Sequence, residues 1–192
     1  MIFVDQDVTA TDEFVFFWRG WPSQWVRRPF VVDGVSYNCC EQYMMAEKAR
    51  VFGDAEVLGK ILRSVSPKAQ KALGREVRGF DEKVWNSVCR GIVYSGNLAR
   101  FQQHADLAEK LLATGSRTIV EASPVDRVWG IGLAVDNPDV HVPAKWQGKN
   151  WLGVALMQVR AQLRGEAMDA ELRTQLEARQ QLTQSSNREG SS

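Results

Sequence analysis

Short apolar runs dominate the first part of the chain, and helical spacing takes over after it. Phe14 to Trp18, Phe30 to Val32 and Val35 to Tyr37 are β-prone, and Asp33-Gly34 between the last two predicts a hairpin. Residues 1–13 are short and polar and read as an arm or an edge strand. From Cys40 the spacing predicts a helix to about Phe52, stopped by Gly53, then another from Asp54 to about Arg63 with Asp54 as its cap. Ser66-Pro67 reads as a cap followed by proline at the first helical position, with Gly74 after the last periodic residue. Asp81 caps a long segment in which Val84, Trp85, Val88 and Ile92 recur at helical spacing. A short helix follows from Asp106 to Ala113, closed by Gly115. Arg117 to Ala122 reads as a strand, and Val128 to Val135, broken by Gly130 and Gly132, as a second one. Leu152, Ala155, Leu156, Val159 and Leu163 predict a closing helix with Asn150 near its cap. Residues 165–192 form a polar tail, helical at first and poor in apolar residues from Ser185, where it should fade into disorder. These elements predict a helix-rich, compact single α+β domain with a small β-sheet over residues 14–164.

Composition narrows the function classes. The formal charge of +1 argues against wholesale coating of nucleic acid or an anionic membrane. The tail carries five acids and three arginines, so the excess of positive charge lies before it, which suits an anionic ligand better than a cationic one. Three cysteines, two of them adjacent, make no disulfide framework, and no apolar N-terminal region resembles a signal peptide. A cytoplasmic protein with no membrane span is expected. With two histidines and no metal-ligand spacing, neither a metal nor a cofactor is expected, and no serine sits in a nucleophile-elbow glycine pattern. The cysteines read as small core hydrophobes and Arg27-Arg28 as surface charge. Oligomeric state is not set by any of these features.

Three segments combine polar and aromatic residues beyond what a core requires. In the first, Arg19 to Trp25, a Gly- and Pro-containing loop carries two tryptophans. In the second, Glu41 and Lys48 are seven residues apart, about two helical turns, on the stripe of Met44, Met45 and Phe52. Charges in such a stripe are paired, shifted in pKa or lining a cavity, unless the helix turns its other stripe, Cys39, Tyr43 and Ala46, to the core. The third segment runs from Glu121 through Asp126 and Trp129 to Gly132, a carboxylate-rich exit from a strand into tryptophan and two glycines. Taken singly, Trp85 and Trp129 fit a core as well as a stacking platform, and Asp126 fits a turn cap.

Phe17-Trp18-Arg19-Gly20, Ser23-Gln24-Trp25, Glu41-Gln42-Tyr43, Lys48-Ala49, Leu73-Gly74-Arg75, Trp85, Ile119-Val120-Glu121-Ala122-Ser123, Asp126, Trp129-Gly130-Ile131-Gly132-Leu133, Gly148, Asn150 and Leu152-Gly153 together resemble the NADAR (YbiA-like) family, in order and at family-like spacing. The resemblance implies a YbiA-like fold and N-glycosidase activity, the cleavage of a bond between ribose C1 and nitrogen. It implies two substrate groups: ADP-ribose attached to a base, notably guanine in nucleic acid, or phosphoribosylamino-pyrimidine intermediates of riboflavin synthesis. It carries catalytic roles onto Lys48, Glu41 and Asp126, and substrate contacts onto Arg19, Ser23, Gln24, Trp85, Glu121, Trp129, Gly130 and Asn150. Ile131 stands where some riboflavin-linked members have an acid, and Cys39-Cys40 where small hydroxyl residues are common. The implied partner is an ADP-ribosylated nucleobase or other nucleotide-derived substrate, with transient contact to nucleic acid. Two non-enzymatic readings stand beside this one: a module that binds ADP-ribose or a nucleotide without cleaving it, and a structural protein using the tail as a partner helix.

Overall fold

A computed structural model of the chain describes residues 7–189. Its elements are β1 (Val8–Ala10), β2 (Phe14–Phe17), β3 (Phe30–Val32), β4 (Val35–Tyr37), α1 (Cys40–Val51), α2 (Ala55–Arg63), α3 (Pro67–Arg75), α4 (Glu82–Gln103), α5 (Ala105–Ala113), β5 (Thr118–Glu121), α6 (Trp151–Leu163) and α7 (Ala170–Glu189), with a 3-10 turn at Pro143–Lys145. The class is the helix-rich α+β expected from the sequence. Within the polar arm expected over 1–13, residues 8–10 form an edge strand, and residues 1–6 lie outside the described residues. The tail expected to fade from Ser185 is helical to Glu189, and its last residues, 190–192, also lie outside them.

The chain divides into two compact units, one of residues up to Val26 with Phe101–Ala167, the other of Arg27–Arg100 with the segment from Met168. In the first, β2 is the middle strand of a three-stranded sheet, antiparallel to β1 (Val8 opposite Phe17) and parallel to β5 (Val15 opposite Ile119). All four residues of β2 are buried, which fits its unbroken run of apolar side chains. Phe14, Phe16, Val120, Ala122, Ile131, Leu133 and Val140 form one cluster beside this sheet, and Trp146 packs against it. Helix α6 packs on β5, and α5 on α6.

The strand expected over Val128 to Val135 is absent, because the backbone there has another task. The carbonyls of Arg127, Val128, Trp129 and Gly130 accept from the N–H groups of Lys149, Trp151, Leu152 and Asn150 at 3.0 to 3.3 Å. These contacts satisfy donors that the first turn of α6 cannot bond internally. Asn150, at the N-cap position with φ 52, is thereby released from capping. Its side chain instead reaches β5, accepting from Glu121 N at 3.0 Å and donating to Ile119 O at 2.9 Å. Gly148 and Gly153 are needed for this approach, since a Cβ at either would overlap the carbonyl of Gly130 or Ile119.

In the second unit β3 and β4 form the expected hairpin, with positive φ at both Asp33 and Gly34 as a tight two-residue turn requires. Helix α1 packs against α2, α3 and β4 and is buried on almost every side: Cys40 through Glu47 and Ala49 are all buried. The choice between two stripes therefore does not arise. Asp54 caps α2 by accepting from Val57 N at 3.1 Å, and it also holds Arg78 N and the Arg78 guanidinium. That guanidinium keeps the Asp54 carboxyl well below the usual carboxylate range. Gln42 donates to the last carbonyls of α2 at Ile61 and Leu62 and to Ser64 O, and accepts from Asn38 N at 2.7 Å. Gly74, expected beyond the end of a helix, lies inside α3, because Met45 packs directly on it.

Replacing Asn150 by Ala removes two hydrogen bonds worth about 1 kcal/mol each and puts alanine, which lacks asparagine's tolerance of the left-handed region, at φ 52 at a cost of about 1 kcal/mol. Denaturant unfolding should show a loss of about 3 kcal/mol for Asn150→Ala and about 2 kcal/mol for Asn150→Gly, which tolerates the φ but not the lost bonds. A loss under about 0.5 kcal/mol in both variants, the size of an ordinary surface change, would show that this side chain does not tie α6 to β5.

Candidate active site

Lys48 lies in the last turn of α1 and Glu41 in its first, the ends at which the helix dipole favours each charge. The Lys48 amine donates to Gly74 O at 2.8 Å, lies 4.2 Å from the centre of the Phe80 ring and 5.8 Å from a ring of Trp85. Phe80 is itself set edge-on to Phe52 at 5.4 Å. The aromatic faces hold the charged amine, while the carbonyl accepts from it whether or not it is protonated. Burial, and secondarily the Arg75 guanidinium, bring the Lys48 pKa below the ordinary lysine value. Met44 and Met45 are buried, and they form the apolar stretch between Glu41 and Lys48 on α1.

Glu41 is 2 % exposed. Its carboxylate and the fully buried Arg100 both act on the neighbouring Cys40: burial raises that thiol's pKa first, Arg100 opposes the rise and Glu41 adds to it. Arg100 donates to Asn97 Oδ1 at 3.0 Å, and Asn97 to Val93 O at 2.8 Å. Phe80 was not anticipated from the sequence. A signal for it existed: Phe80 precedes the cap Asp81 and Trp85 stands at the fourth helical position, the spacing of a hydrophobic staple.

Of the expected site residues, Glu41, Lys48 and Trp85 belong to the unit of Arg27–Arg100, and Arg19, Ser23, Gln24, Glu121, Asp126, Trp129, Gly130 and Asn150 belong to the other. In that second group Asp126 organises the loop after β5. Its Oδ1 accepts from Val128 N at 2.9 Å and Trp129 N at 2.8 Å, and its backbone O from Gly132 N at 3.0 Å. Trp129, half-buried, meets Trp151 edge to face at 5.8 Å, and the Lys149 amine lies 4.4 Å from a Trp151 ring. Gly130 is constrained by packing, since a Cβ there would come within 2.9 Å of Glu121 O. Glu121 is the last residue of β5, and Ile131 N donates to its carbonyl at 3.0 Å.

The loop after β2 is anchored by Trp21, which is buried edge-on against Phe101 at 6.0 Å, whereas Trp18 and Trp25 are exposed. Ser23 and Gln24 are buried, and Ser23 Oγ accepts from Trp25 N at 3.2 Å. Arg19 is exposed and lies 5.5 Å from a Trp18 ring. Trp18, Arg19, Phe17 and Ala122 contribute to a cavity of about 320 Å³ at the C-terminal ends of β2 and β5. Among the described residues, no group of three or more His, Cys, Asp or Glu is gathered as a metal would need, and no helix is long and apolar enough to cross a membrane.

A model of the NADAR domain matches residues 13–164. The chain belongs to the NADAR family. A relative named N-glycosidase R617, from Acanthamoeba polyphaga mimivirus, is 47% identical over 65% of this chain and 73% of its own length. N-glycosidase YbiA of Escherichia coli strain K12 is 34% identical over 70% of this chain and 76% of its own. The NMR structure of E. coli YbiA covers 84% of this chain and 93% of that protein at 30% identity, with a TM-score of 0.67. These relatives support an N-glycosidase, a hydrolase, as the general activity. The NADAR match contains every expected site residue and ends before α7.

Removing the Arg75 guanidinium deletes one of the two causes that depress the Lys48 pKa. In Arg75→Ala the pKa rises toward the ordinary lysine value, so at any lower pH less of the amine is free. Competitive amine labelling across pH, read at Lys48 by mass spectrometry, checks this; an unchanged or lower midpoint contradicts it.

Proposed function

We propose that this NADAR protein removes ADP-ribose from a modified base, guanine in nucleic acid or a related ADP-ribose derivative, with the Lys48 amine as nucleophile. The observation that carries the reading is the seat of that amine: half-buried, anchored on Gly74 O, beside Phe80 and Trp85, with a lowered pKa. A lysine attacks only as the free amine, and burial beside a second cation is how a protein keeps a lysine unprotonated.

In the proposed reaction the Nζ lone pair forms a bond to ribose C1 as the C1–N bond to the base breaks. The bonding electrons leave on the base nitrogen, which takes up a proton. Loss of the amine proton and opening of the ribose ring leave a C1=N Schiff base. Water adds to C1, the C–N bond breaks, and free sugar and free Lys48 amine are regenerated. The balance is substrate plus water giving base and sugar. Glu41 and Asp126 are the candidates for moving the proton. Asp126 already accepts two backbone N–H groups of its own loop, whereas Glu41 shares the helix of Lys48. Beside the Lys48 amine, Trp85 offers a ring face for the base.

A riboflavin-intermediate substrate is the competing reading. Ile131, where some members of that group carry an acid, is fully buried in the apolar cluster with Phe14, Phe16 and Val120. This position supports the ADP-ribose reading, because an acid in it would be surrounded by hydrocarbon.

Lys48→Ala should abolish sugar release while the protein still folds, and Lys48→Arg should fail equally, since a guanidinium stays protonated. Borohydride added during turnover should trap substrate on Lys48; wild-type turnover with no adduct would instead assign the chemistry to the carboxylates. Incubation with ADP-ribosylated guanine DNA and, separately, with phosphoribosylamino-pyrimidines should release sugar from the first only, as read by mass spectrometry. Release from the second alone would reverse the substrate assignment.

A further inference from the structure

Glu47 is the residue before the proposed nucleophile, it is buried, and the chemistry above does not use it. Two guanidiniums share it. Arg50, one turn on, meets its Oε1 at 2.5 Å, and Arg179 from α7 meets its Oε2 at 2.6 Å. Arg179 also lies 5.9 Å from the ring of Tyr43, one turn before Glu47 on α1. Tyr43 lies flush on α4, because Gly96 presents no side chain: a Cβ there would be 2.5 Å from Tyr43 Cδ1. Helix α7 is seated on α4 in the same manner. A Cβ at Gly91 would come within 3.3 Å of Gln175 and Leu176, Gln175 donates to Asn86 O at 3.0 Å, and Arg90 pairs with Glu171 at 2.5 Å. Each of these contacts lies within one unit of the fold, and α7 lies beyond the NADAR match.

Glu47 and Lys48 leave α1 about 100° apart, so the helix is gripped on the α7 side at Glu47 and on the α3 side at Lys48. We propose that α7 is a strap that fixes the rotation of α1, with Arg179 a positioning residue that acts on Lys48 through Glu47. The lever is short. A rotation of about 10° moves an atom some ~6 Å from a helix axis by ~1 Å, and a ~1 Å error in placing a reacting group costs about 100-fold in rate. The inference rests on the Lys48 reading for its effect on catalysis, but not for its effect on the amine itself.

The test uses the full-length chain carrying Glu47→Gln, Arg179→Ala or Arg179→Lys, and two readouts: competitive labelling of the Lys48 amine across pH, and sugar release. Glu47→Gln separates the strap from simple electrostatics. Deleting a negative charge beside Lys48 would by itself lower the lysine pKa, whereas release of α1 lets water reach the amine and raises it. We expect the labelling midpoint of Lys48 to move up in Glu47→Gln and Arg179→Ala, and to stay near wild type in Arg179→Lys. Turnover should fall at least tenfold in the first two with KM within twofold, and recover most of its value in Arg179→Lys. A midpoint that moves down in Glu47→Gln, or turnover in Arg179→Ala equal to wild type, overturns the strap. If Arg179→Ala does not fold, Glu47→Gln, which keeps volume and one acceptor, decides alone. If the wild type releases no sugar, the substrate reading fails, and the labelling midpoints still decide the strap.

Discussion

Helix α1 is buried on nearly all its faces, yet carries Glu41, Gln42, Glu47 and Lys48. A polar group taken out of water costs several kcal/mol unless it is paired, so much of what surrounds α1 answers to these side chains. Gln42 closes the end of α2, Glu47 holds two arginines, and Lys48 rests on the backbone of α3. The glycines at 74 and 96 follow from the same burial: one admits Met45 beside the lysine and the other admits Tyr43. A buried helix that carries such polar side chains thus prescribes its neighbours more strictly than an apolar one would, because hydrophobes tolerate repacking whereas hydrogen bonds need particular partners.

The elements of the fold were largely legible where local chemistry decides them. The Asp33-Gly34 hairpin, the Asp54 and Asp81 caps and the apolar run of β2 are settled by a few adjacent residues. Long-range decisions were not legible. Val128 to Val135 has the composition of a strand, but its carbonyls bond the start of α6, some twenty residues on, and no periodicity announces that. Gly74 looked like a helix terminator because glycine usually is one, and only the position of Met45 explains it inside α3. In the candidate site, the residues carried by family motifs were legible through the NADAR resemblance. Phe80 belongs to none of those motifs, and α7 shows too little periodicity for its contacts to be read from sequence.

The loops of the other unit are built on a different economy. Around Asp126 to Gly132 most of the described bonds run from backbone to backbone or from one carboxylate to backbone, and the glycines exist to let strands of chain approach. The loop is held by these bonds and by Ile131, which is buried in the apolar cluster beside the sheet. It can therefore present Trp129 in a fixed orientation while leaving part of the ring accessible, a condition for any platform on which a flat base is to stack.

Gly74 has a further consequence. The acceptor that seats the Lys48 amine is a main-chain oxygen, and no substitution can delete it. Every substitution at residue 74 keeps that oxygen but adds at least a Cβ, which displaces Met45 and with it the wall beside the amine. The seat is thus protected from loss of its acceptor and exposed to any gain in bulk, so residue 74 is constrained by volume rather than by polarity.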